Sequence, residues 1–373
     1  MDPRKLRLGL SFAAAAIVLA LLLPLAPEQP HLLMRPVVWQ TTALAGLLFV
    51  LAAWFADGRS VVPGLIGVVL AAASSLVLLR DPEIAGSAAG GFWAIVTAVW
   101  LASAMCVVSL AALRPVRAER RRAVNLLVPL LFGAIVFYLW EVAVRGFGVP
   151  PVLMPAPSAA ASRFAMSLPT LAADFFQTFV KGVLVGYVIG CGAGLLVAIL
   201  AHRFEFLGRG LLPLGNFFSA LPLVGVAPIM VMWFGFDWPS KAAVVALVTF
   251  FPMLVNALAG LSASGHIERD LMRSYAANHS QSLTKLYLPA AMPFIFNALK
   301  INATLALIGA IVAEFFGTPT QGIGFRISTE AGRMAIDMVW AEIALAALAG
   351  MAFYGLVTLA ERATTFWHPS YRT

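Results

Sequence analysis

Ten apolar segments dominate this chain, and each has the roughly 20 residues that a helix needs to cross the hydrocarbon core of a bilayer. The 373 residues are 61% hydrophobic and 11% charged, with a mean hydropathy of +0.91. No soluble domain buries that much apolar surface, so the sequence predicts an all-α polytopic membrane protein. The predicted spans are residues 8–26, 37–56, 61–79, 91–113, 125–144, 178–201, 211–234, 240–262, 293–315 and 339–361.

The distribution of Lys and Arg predicts the orientation of these spans. With the N-terminus inside, sixteen basic residues fall on cytoplasmic segments, six fall on the opposite side, and Lys181, Lys241 and Lys300 lie in or beside spans. Because cytoplasmic loops retain Lys and Arg, both termini are predicted to be cytoplasmic. The same bias accounts for the net charge of +8 without nucleic acid. The first apolar run lacks a cleavage signal and is interpreted as a retained helix.

The basic segment RPVRAERRRAV, residues 114–124, divides the chain. Before it lie four spans without a recognisable motif, predicted to form a four-helix N-terminal bundle over residues 1–113. After it lie six spans with long, patterned loops, predicted to form a second domain over residues 125–373. The Arg cluster is interpreted as a topology determinant, with binding of anionic lipid headgroups as the alternative.

A polar segment at residues 263–293 interrupts the second domain. Leu271, Met272 and Tyr275 lie at helical spacing, and a second short apolar run begins at Leu283. Two short amphipathic helices of this kind either lie on the membrane surface or dock into a groove on a soluble partner. The pattern alone does not choose between these alternatives.

The end of this segment, LPAAMPFIFNALKI from Leu288 onward, resembles the EAA loop of binding-protein-dependent ABC importer permeases. In that family a Glu-Ala-Ala triplet is followed by Gly and then by a Leu-Pro pair. Counting back from Pro289, the triplet falls on Asp270, Leu271 and Met272, and the Gly position falls on Ala276. The acidic residue is therefore kept, while both Ala residues and the Gly are replaced.

Further motifs extend the resemblance over residues 125–373. The runs LWEVAVRGFGVPPVLMPAPSA, ALPLVGVAPIMVMWFGFDWPSKAAVVALVTFFPMLVNALAGL and IGAIVAEFFGTPTQGIGF are similar to permeases for nitrate, taurine, alkanesulfonates and thiamine precursors. The resemblance implies a type I ABC importer permease core whose polar segment is a coupling helix seated on a separate ATPase. The residues implied to contact that ATPase are Asp270, Leu271, Met272, Arg273, Tyr275, Ala276, Leu283 and Pro289. Pro289 and Pro293 are predicted to set a turn into the next span.

Polar side chains inside spans are costly and mark either a translocation pathway or hydrogen bonds between helices. Five such residues are pathway candidates, and Met232 and Trp233 are candidates for a gate, with an ordinary core or interface-belt role as the alternative. The pathway candidates are Asn216, Ser219, Asn256, Asn302 and Thr304.

Acidic residues at span ends are interpreted as structural ion pairs in preference to proton relays. Glu314 is predicted either to pair with Arg326 or to contact an external binding protein, and Arg326 shares that prediction. Glu141 is predicted to pair with Arg145, one turn further along. Glycines at 182, 186, 190 and 194 form a stripe of small residues suited to close helix packing and to a dimer interface.

The resemblance also implies partners: an ABC ATPase dimer, a periplasmic or lipid-anchored substrate-binding protein, a second copy of this chain and membrane lipid. The chain lacks GxxxxGK[ST], so ATP and Mg are expected on the ATPase and no cofactor is expected here. Cys106 and Cys191 lie in apolar runs and are interpreted as core residues, not metal ligands. The predicted location is a bacterial inner membrane. The alternatives are an ion-coupled secondary transporter and a membrane-embedded enzyme.

Overall fold

The computed structural model describes residues 3–26, 35–55, 61–113, 118–219, 222–317 and 320–366, and the regular elements of these residues are helices. The chain divides into two compact units, Met1–Ala161 and Ser162–Thr373. This division falls after α5 (Ala118–Gly146), which packs on the helices before it. The all-α prediction is confirmed, whereas the functional boundary near residue 113 stays a prediction.

The first unit is a bundle built on small residues. Phe49 and Phe92 fill its centre, and Gly91 lies so close to the preceding loop that a Cβ there would be 2.6 Å from the Leu23 carbonyl oxygen. An Arg35–Asp81 ion pair joins two of its loops, and the Arg35 guanidinium lowers the pKa of Asp81. Its helices besides α5 are α1 (Pro3–Leu22), α2 (Pro36–Phe55), α3 (Val61–Leu78) and α4 (Gly90–Ala112).

The second unit is organised around α11 (Trp238–Leu261), which packs between α8 (Val185–Arg203) and α14 (Leu288–Phe316). Its other helices are α7 (Leu168–Phe175), α9 (Glu205–Ser219), α10 (Leu223–Phe234), α12 (His266–Ser274), α13 (His279–Ser282), α15 (Ile323–Gly332) and α16 (Ile336–Thr364); α6 (Pro157–Met166) precedes them. Two π-helical stretches, Phe176–Leu184 and Leu283–Tyr287, continue directly into α8 and α14.

The glycine stripe allows α8 and α11 to touch backbone to backbone. A Cβ on Gly186 would lie 2.5 Å from the Ala242 carbonyl oxygen, and one on Gly194 would lie 2.6 Å from that of Phe250. The prediction of close helix packing is therefore confirmed. Because the stripe is used inside the chain, its predicted role in a dimer interface is replaced by this contact.

Eight described helices are long and apolar enough to cross a membrane. Two predicted spans differ from the rest. The first corresponds to a shorter apolar stretch, Leu6–Leu22. The span predicted at 211–234 is two helices, since α9 ends at Ser219 and α10 begins at Leu223 after an extended Pro222.

Candidate functional site

The polar segment at 263–293 begins with α12, a helix of which no residue is buried. Its end is a Schellman motif: the amide of Ala277 donates to the Met272 carbonyl at 3.0 Å, and the amide of Ala276 donates to Arg273 at 2.9 Å. The motif places Ala276 in the left-handed region, with φ of 50°. Glycine is favoured there because it has no Cβ, so this position has a conformational reason to be Gly.

The next helix starts with a capping box and does not stop where the sequence predicted. Asn278 Oδ1 accepts from the Gln281 amide at 2.8 Å, and Gln281 Oε1 accepts from the Asn278 amide at 2.9 Å. From there a single helical run, His279–Phe316, passes through Pro289 and Pro293. The prediction of a turn at these prolines is wrong, since a π-helical stretch, Leu283–Tyr287, leads directly into α14 and the helix continues through both prolines.

An exposed apolar stripe follows one face of α12 and its cap. Ile267 is 85% exposed, Leu271 is 54% exposed and Tyr275 is 78% exposed. These residues are spaced by four, which places them on the same side of a helix. Leu271 and Tyr275 were singled out from the sequence, but Ile267 was missed. Its spacing of four before Leu271 was the available signal.

The other predicted coupling residues differ in exposure. Asp270 and Arg273 are exposed and form an ion pair at 3.3 Å, a geometry that contributes little stability in water. Met272 is half-buried. Leu283 packs against the core of the second unit, and Pro289 is half-buried in the helix that follows. The exposed part of the predicted set therefore lies on α12 and on the two residues that follow it, Tyr275 and Ala276.

Two of the pathway candidates bond to neighbouring helices or their own helix. Asn302 is fully buried, and its side-chain amide donates to the Thr249 carbonyl at 2.7 Å and lies 3.2 Å from Cys191 Sγ. Asn256 donates to the Pro252 carbonyl at 2.8 Å, and the side-chain amide of Asn297, which was not predicted from the sequence, donates to Asn256 Oδ1 at 3.5 Å. For Asn302 this geometry matches the helix–helix alternative.

The remaining pathway candidates are exposed or outside the described part. Thr304 is exposed, and its hydroxyl donates to the Ile301 carbonyl at 2.8 Å. The side chains of Asn216 and Ser219 lie outside the described residues. A pathway role for these residues stays a prediction.

An apolar cavity of about 660 Å³ lies between α8, α10 and α11. Trp233 contributes to its wall together with Phe234, Trp238 and Phe250. Trp233 is 70% exposed and the neighbouring Met232 is 82% exposed within the single chain. Met232 and Trp233 thus lie on an exposed apolar surface beside a cavity, and their role as a gate stays a prediction.

Four polar side chains, which we call the loop anchor, hold the start of α15 against α7, the following π-helical stretch and α14: the buried Asp174, Thr178 and Glu314 and the half-buried Arg326. Glu314 accepts hydrogen bonds from the Thr178 hydroxyl at 2.8 Å and the Gly324 amide at 2.7 Å. Thr178 also accepts from the Ile323 amide at 2.8 Å. Glu314 is only 2% exposed, so its predicted contact with a binding protein is corrected to a structural role in this loop.

Asp174, rather than Glu314, is the ion-pair partner of Arg326. Its Oδ2 is 2.8 Å from Arg326 Nε, its Oδ1 accepts from the Gly322 amide at 2.6 Å, and it is fully buried. The hydrogen bond from the Arg326 guanidinium to Asp174 raises the pKa of Arg326 above its ordinary value. Asp174 was not predicted as this partner, because 152 residues separate it from Arg326 in the sequence. The predicted Glu141–Arg145 pair is confirmed at 2.6 Å.

Lysine side chains inside the spans of the second unit are also engaged. Lys241 is buried and donates to the carbonyls of Phe236 and Gly317. Lys300 lies 2.9 Å from a carboxylate oxygen of Glu361. Lys181 donates to Gln177 at 3.0 Å. Within the described residues, no group of three His, Cys, Asp or Glu side chains is placed to hold a metal ion.

Comparison with known proteins gives a family match over the second part of the chain. Residues 190–367 match the family described as binding-protein-dependent transport system inner membrane component. The matched region contains α12, the Ala276 cap, the continuous helix that follows, and the loop held by Glu314.

Individual relatives have different named solutes. The chain is 29% identical over 251 residues to the formylaminopyrimidine transport permease protein ThiX of Halalkalibacterium halodurans, covering 66% of this chain and 98% of that protein. It is 29% identical over 246 residues to a putative aliphatic sulfonates transport permease protein of Bacillus subtilis, covering 65% and 88%. It is also 29% identical over 240 residues to the riboflavin transport system permease protein of Chloroflexus aurantiacus, covering 63% and 88%.

Proposed function

Since residues 190–367 belong to the family of binding-protein-dependent ABC importer permeases, we propose that this chain is the membrane subunit of an importer driven by a separate ATPase. The chain is a multi-pass membrane protein that serves small-solute import. In the proposed assembly, two copies form the translocation unit, each copy binds one subunit of an ATPase dimer, and both termini are cytoplasmic. An external binding protein, periplasmic or lipid-anchored, delivers the solute.

The observation that carries this proposal is the exposed apolar stripe of α12. Ile267, Leu271 and Tyr275 present apolar surface along a helix whose other exposed side chains are polar or charged, and Asp270 and Arg273 lie beside them. A helix with this pattern is suited to a groove on a soluble partner. Apolar surface of this kind on a polar segment usually marks an interaction site. We assign the ATPase groove as that partner site.

The division of labour follows from the sequence and the described side chains. The chain has no glycine-rich phosphate loop, so the ATPase holds ATP and Mg and performs hydrolysis. This chain contributes a docking helix and a permease that alternates between inward- and outward-facing states. Closure of the ATPase dimer displaces α12, and the helix at His279–Phe316 follows it because a single residue, Ala277, separates the Ala276 cap from Asn278.

The solute proposed for this importer is an uncharged aromatic heterocycle, such as a pyrimidine precursor of thiamine. Two observations support this class over taurine, other sulfonates and nitrate. The 660 Å³ cavity is lined by aromatic and aliphatic side chains, and Lys181, Lys241 and Lys300 are each bonded to a protein oxygen. An anion would need a cation in the cavity wall to replace its hydration. The formylaminopyrimidine and riboflavin relatives carry names of this solute class.

The first test is reconstitution of the chain with its ATPase and binding protein in liposomes. We expect uptake of formylaminopyrimidine to require ATP on the side of the membrane where the ATPase is bound. Taurine should be taken up poorly under the same conditions. Uptake without the ATPase under an ion gradient would overturn the importer proposal in favour of a secondary transporter. ATP-dependent uptake of taurine but not of the pyrimidine would overturn only the solute class.

The second test addresses docking on α12. Asp270→Lys reverses the exposed charge beside the stripe, and Ala276→Trp adds bulk at the cap, so both are expected to reduce ATPase co-purification at least roughly ten-fold. Glu83→Lys, an exposed charge reversal in the first unit, is the matched control and should leave the complex intact. Normal complex yield and uptake in both α12 variants would refute the assignment.

A further inference from the structure

Glu342 of α16 is a buried acid to which no group donates a hydrogen bond within the described residues. Its side chain is 0% exposed, and neither carboxylate oxygen has a partner or a surface that solvent reaches. It is the seventh of the 29 residues of α16, a helix long and apolar enough to span a membrane. An ionised carboxylate at this position has neither water nor a donor in place of water, which is strongly disfavoured. The uncharged, protonated form of Glu342 is therefore the one that fits.

The three helices that pack against α16 each place a charged group near Glu342. These groups are Asp174 of α7, Glu314 of α14 and Arg326 of α15. Arg326 directs both its Nε and its Nη2 to Asp174, and Glu314 accepts from a hydroxyl and a backbone amide. The other charged residues of α15 and of this end of α16 are paired elsewhere, Glu330 with Arg333 and Asp337 with Arg163. The donors and cations around Glu342 are thus bonded to other acids.

The carboxyl groups of Asp174 and Glu342 are within hydrogen-bonding reach of each other. Two ionised carboxylates cannot form such a bond and repel each other, so one of the two must carry a proton. Asp174 is the acceptor, because it already accepts three hydrogen bonds, one from the Gly322 amide and two from the Arg326 guanidinium. A carboxylate accepts about four hydrogen bonds in total, so Asp174 has room for one more.

We infer that Glu342 is a neutral carboxylic acid whose proton is held in a hydrogen bond to Asp174, so that the loop anchor contains one bound proton. This proton joins α16 to α7. Asp174 in turn is bonded to Gly322 and Arg326, so the same proton also ties α16 to the start of α15. The proton site is separate from the coupling segment and does not depend on the proposed transport function.

Infrared spectroscopy of the full chain, in a detergent without carbonyl groups, detects this proton directly. A protonated carboxyl has a C=O stretch that an ionised carboxylate lacks, and an ordinary Glu is ionised at about pH 7. Glu342→Gln should remove this band at that pH, and Glu342→Asp, which keeps a carboxyl group, should shift it. Glu361→Gln is the matched control, because Glu361 is a buried acid of the same helix that is paired with Lys300 at 2.9 Å, and the band should persist. A band that is unchanged in Glu342→Gln, or absent from the wild type, would overturn the inference.

Thermal unfolding of the same variants supplies a second measurement. Gln is neutral and its amide donates to Asp174, so Glu342→Gln should unfold no lower than wild type, whereas Glu361→Gln breaks an ion pair and should unfold about 3 °C lower. Folding of the wild type takes up one proton near neutral pH, because Glu342 is ionised in the unfolded chain. Its Tm should therefore fall roughly 3 °C per pH unit more steeply than that of Glu342→Gln between about pH 6 and about pH 8. Equal slopes, or a Glu342→Gln chain that unfolds well below wild type, would overturn the inference.

Discussion

The second unit contains two polar regions that are stabilised by different kinds of contact. The loop anchor joins side chains from α7, the following π-helical stretch, α14 and α15 through buried hydrogen bonds between residues up to 152 positions apart. The coupling segment, residues 263–293, exposes α12 at its surface, and the Schellman motif and the capping box that shape it each span only a few residues. A region fixed by long-range buried contacts has one conformation, whereas a region held locally keeps its surface available for a partner.

The strongest test of this contrast is a pair of aspartate-to-alanine substitutions. Asp174→Ala leaves Arg326 and the Gly322 amide without their buried partner and should reduce stability by about 3 kcal/mol. Asp270→Ala removes an exposed pair and should cost no more than about 0.5 kcal/mol. Denaturant unfolding in detergent measures both changes. Equal losses in the two variants would contradict the contrast.

The fixed region also depends on the spacing of α8 and α11, because Lys241 of α11 bonds to the loop at Gly317. A Cβ on Gly190 would lie 2.8 Å from Ala246 Cα, so Gly190→Ala should destabilise the unit by about 1–3 kcal/mol. Gly192→Ala, on the same helix with nothing within 4 Å, is the control and should be neutral or slightly stabilising. The same unfolding assay distinguishes them, and matching behaviour would contradict the packing argument.

The smallest expected effect sharpens the description of the coupling segment. Ala276→Gly relieves the left-handed backbone and should stabilise the end of α12 by about 1 kcal/mol. Hydrogen exchange of the α12 amides reports this locally, with slower exchange expected. Ala277→Gly is the control, since Ala277 does not have a positive φ, and it should speed exchange. No difference between the two variants would show that the cap does not limit opening of α12.

Local patterns in the sequence predicted the elements that depend on neighbouring residues. The apolar spans, the Glu141–Arg145 pair and the glycine stripe follow from composition and helical spacing, and the structure contains them. The Gly position in the coupling segment was located by counting, and its backbone conformation explains why Ala276 is unusual there.

Long-range partners were not predictable from those patterns. The partner of Arg326 is Asp174, an acid that no spacing rule connects to it. Glu314, the partner predicted for Arg326, instead accepts hydrogen bonds from Thr178 and Gly324. The prediction of a turn at Pro289 was wrong for a different reason. Propensity predicts a break at proline, but here the helix continues through Pro289 and Pro293, with a π-helical stretch directly before Leu288.

The unbroken helix His279–Phe316 gives the molecule a rigid lever. Its 38 residues extend roughly 57 Å, with the capping box beside the coupling segment at one end and Glu314 of the loop anchor near the other. Two features interrupt regular α-helical geometry along this lever, the π-helical stretch Leu283–Tyr287 and Pro293 inside α14. These are the places where such a lever bends, so their stiffness sets how much of a displacement at one end reaches the other.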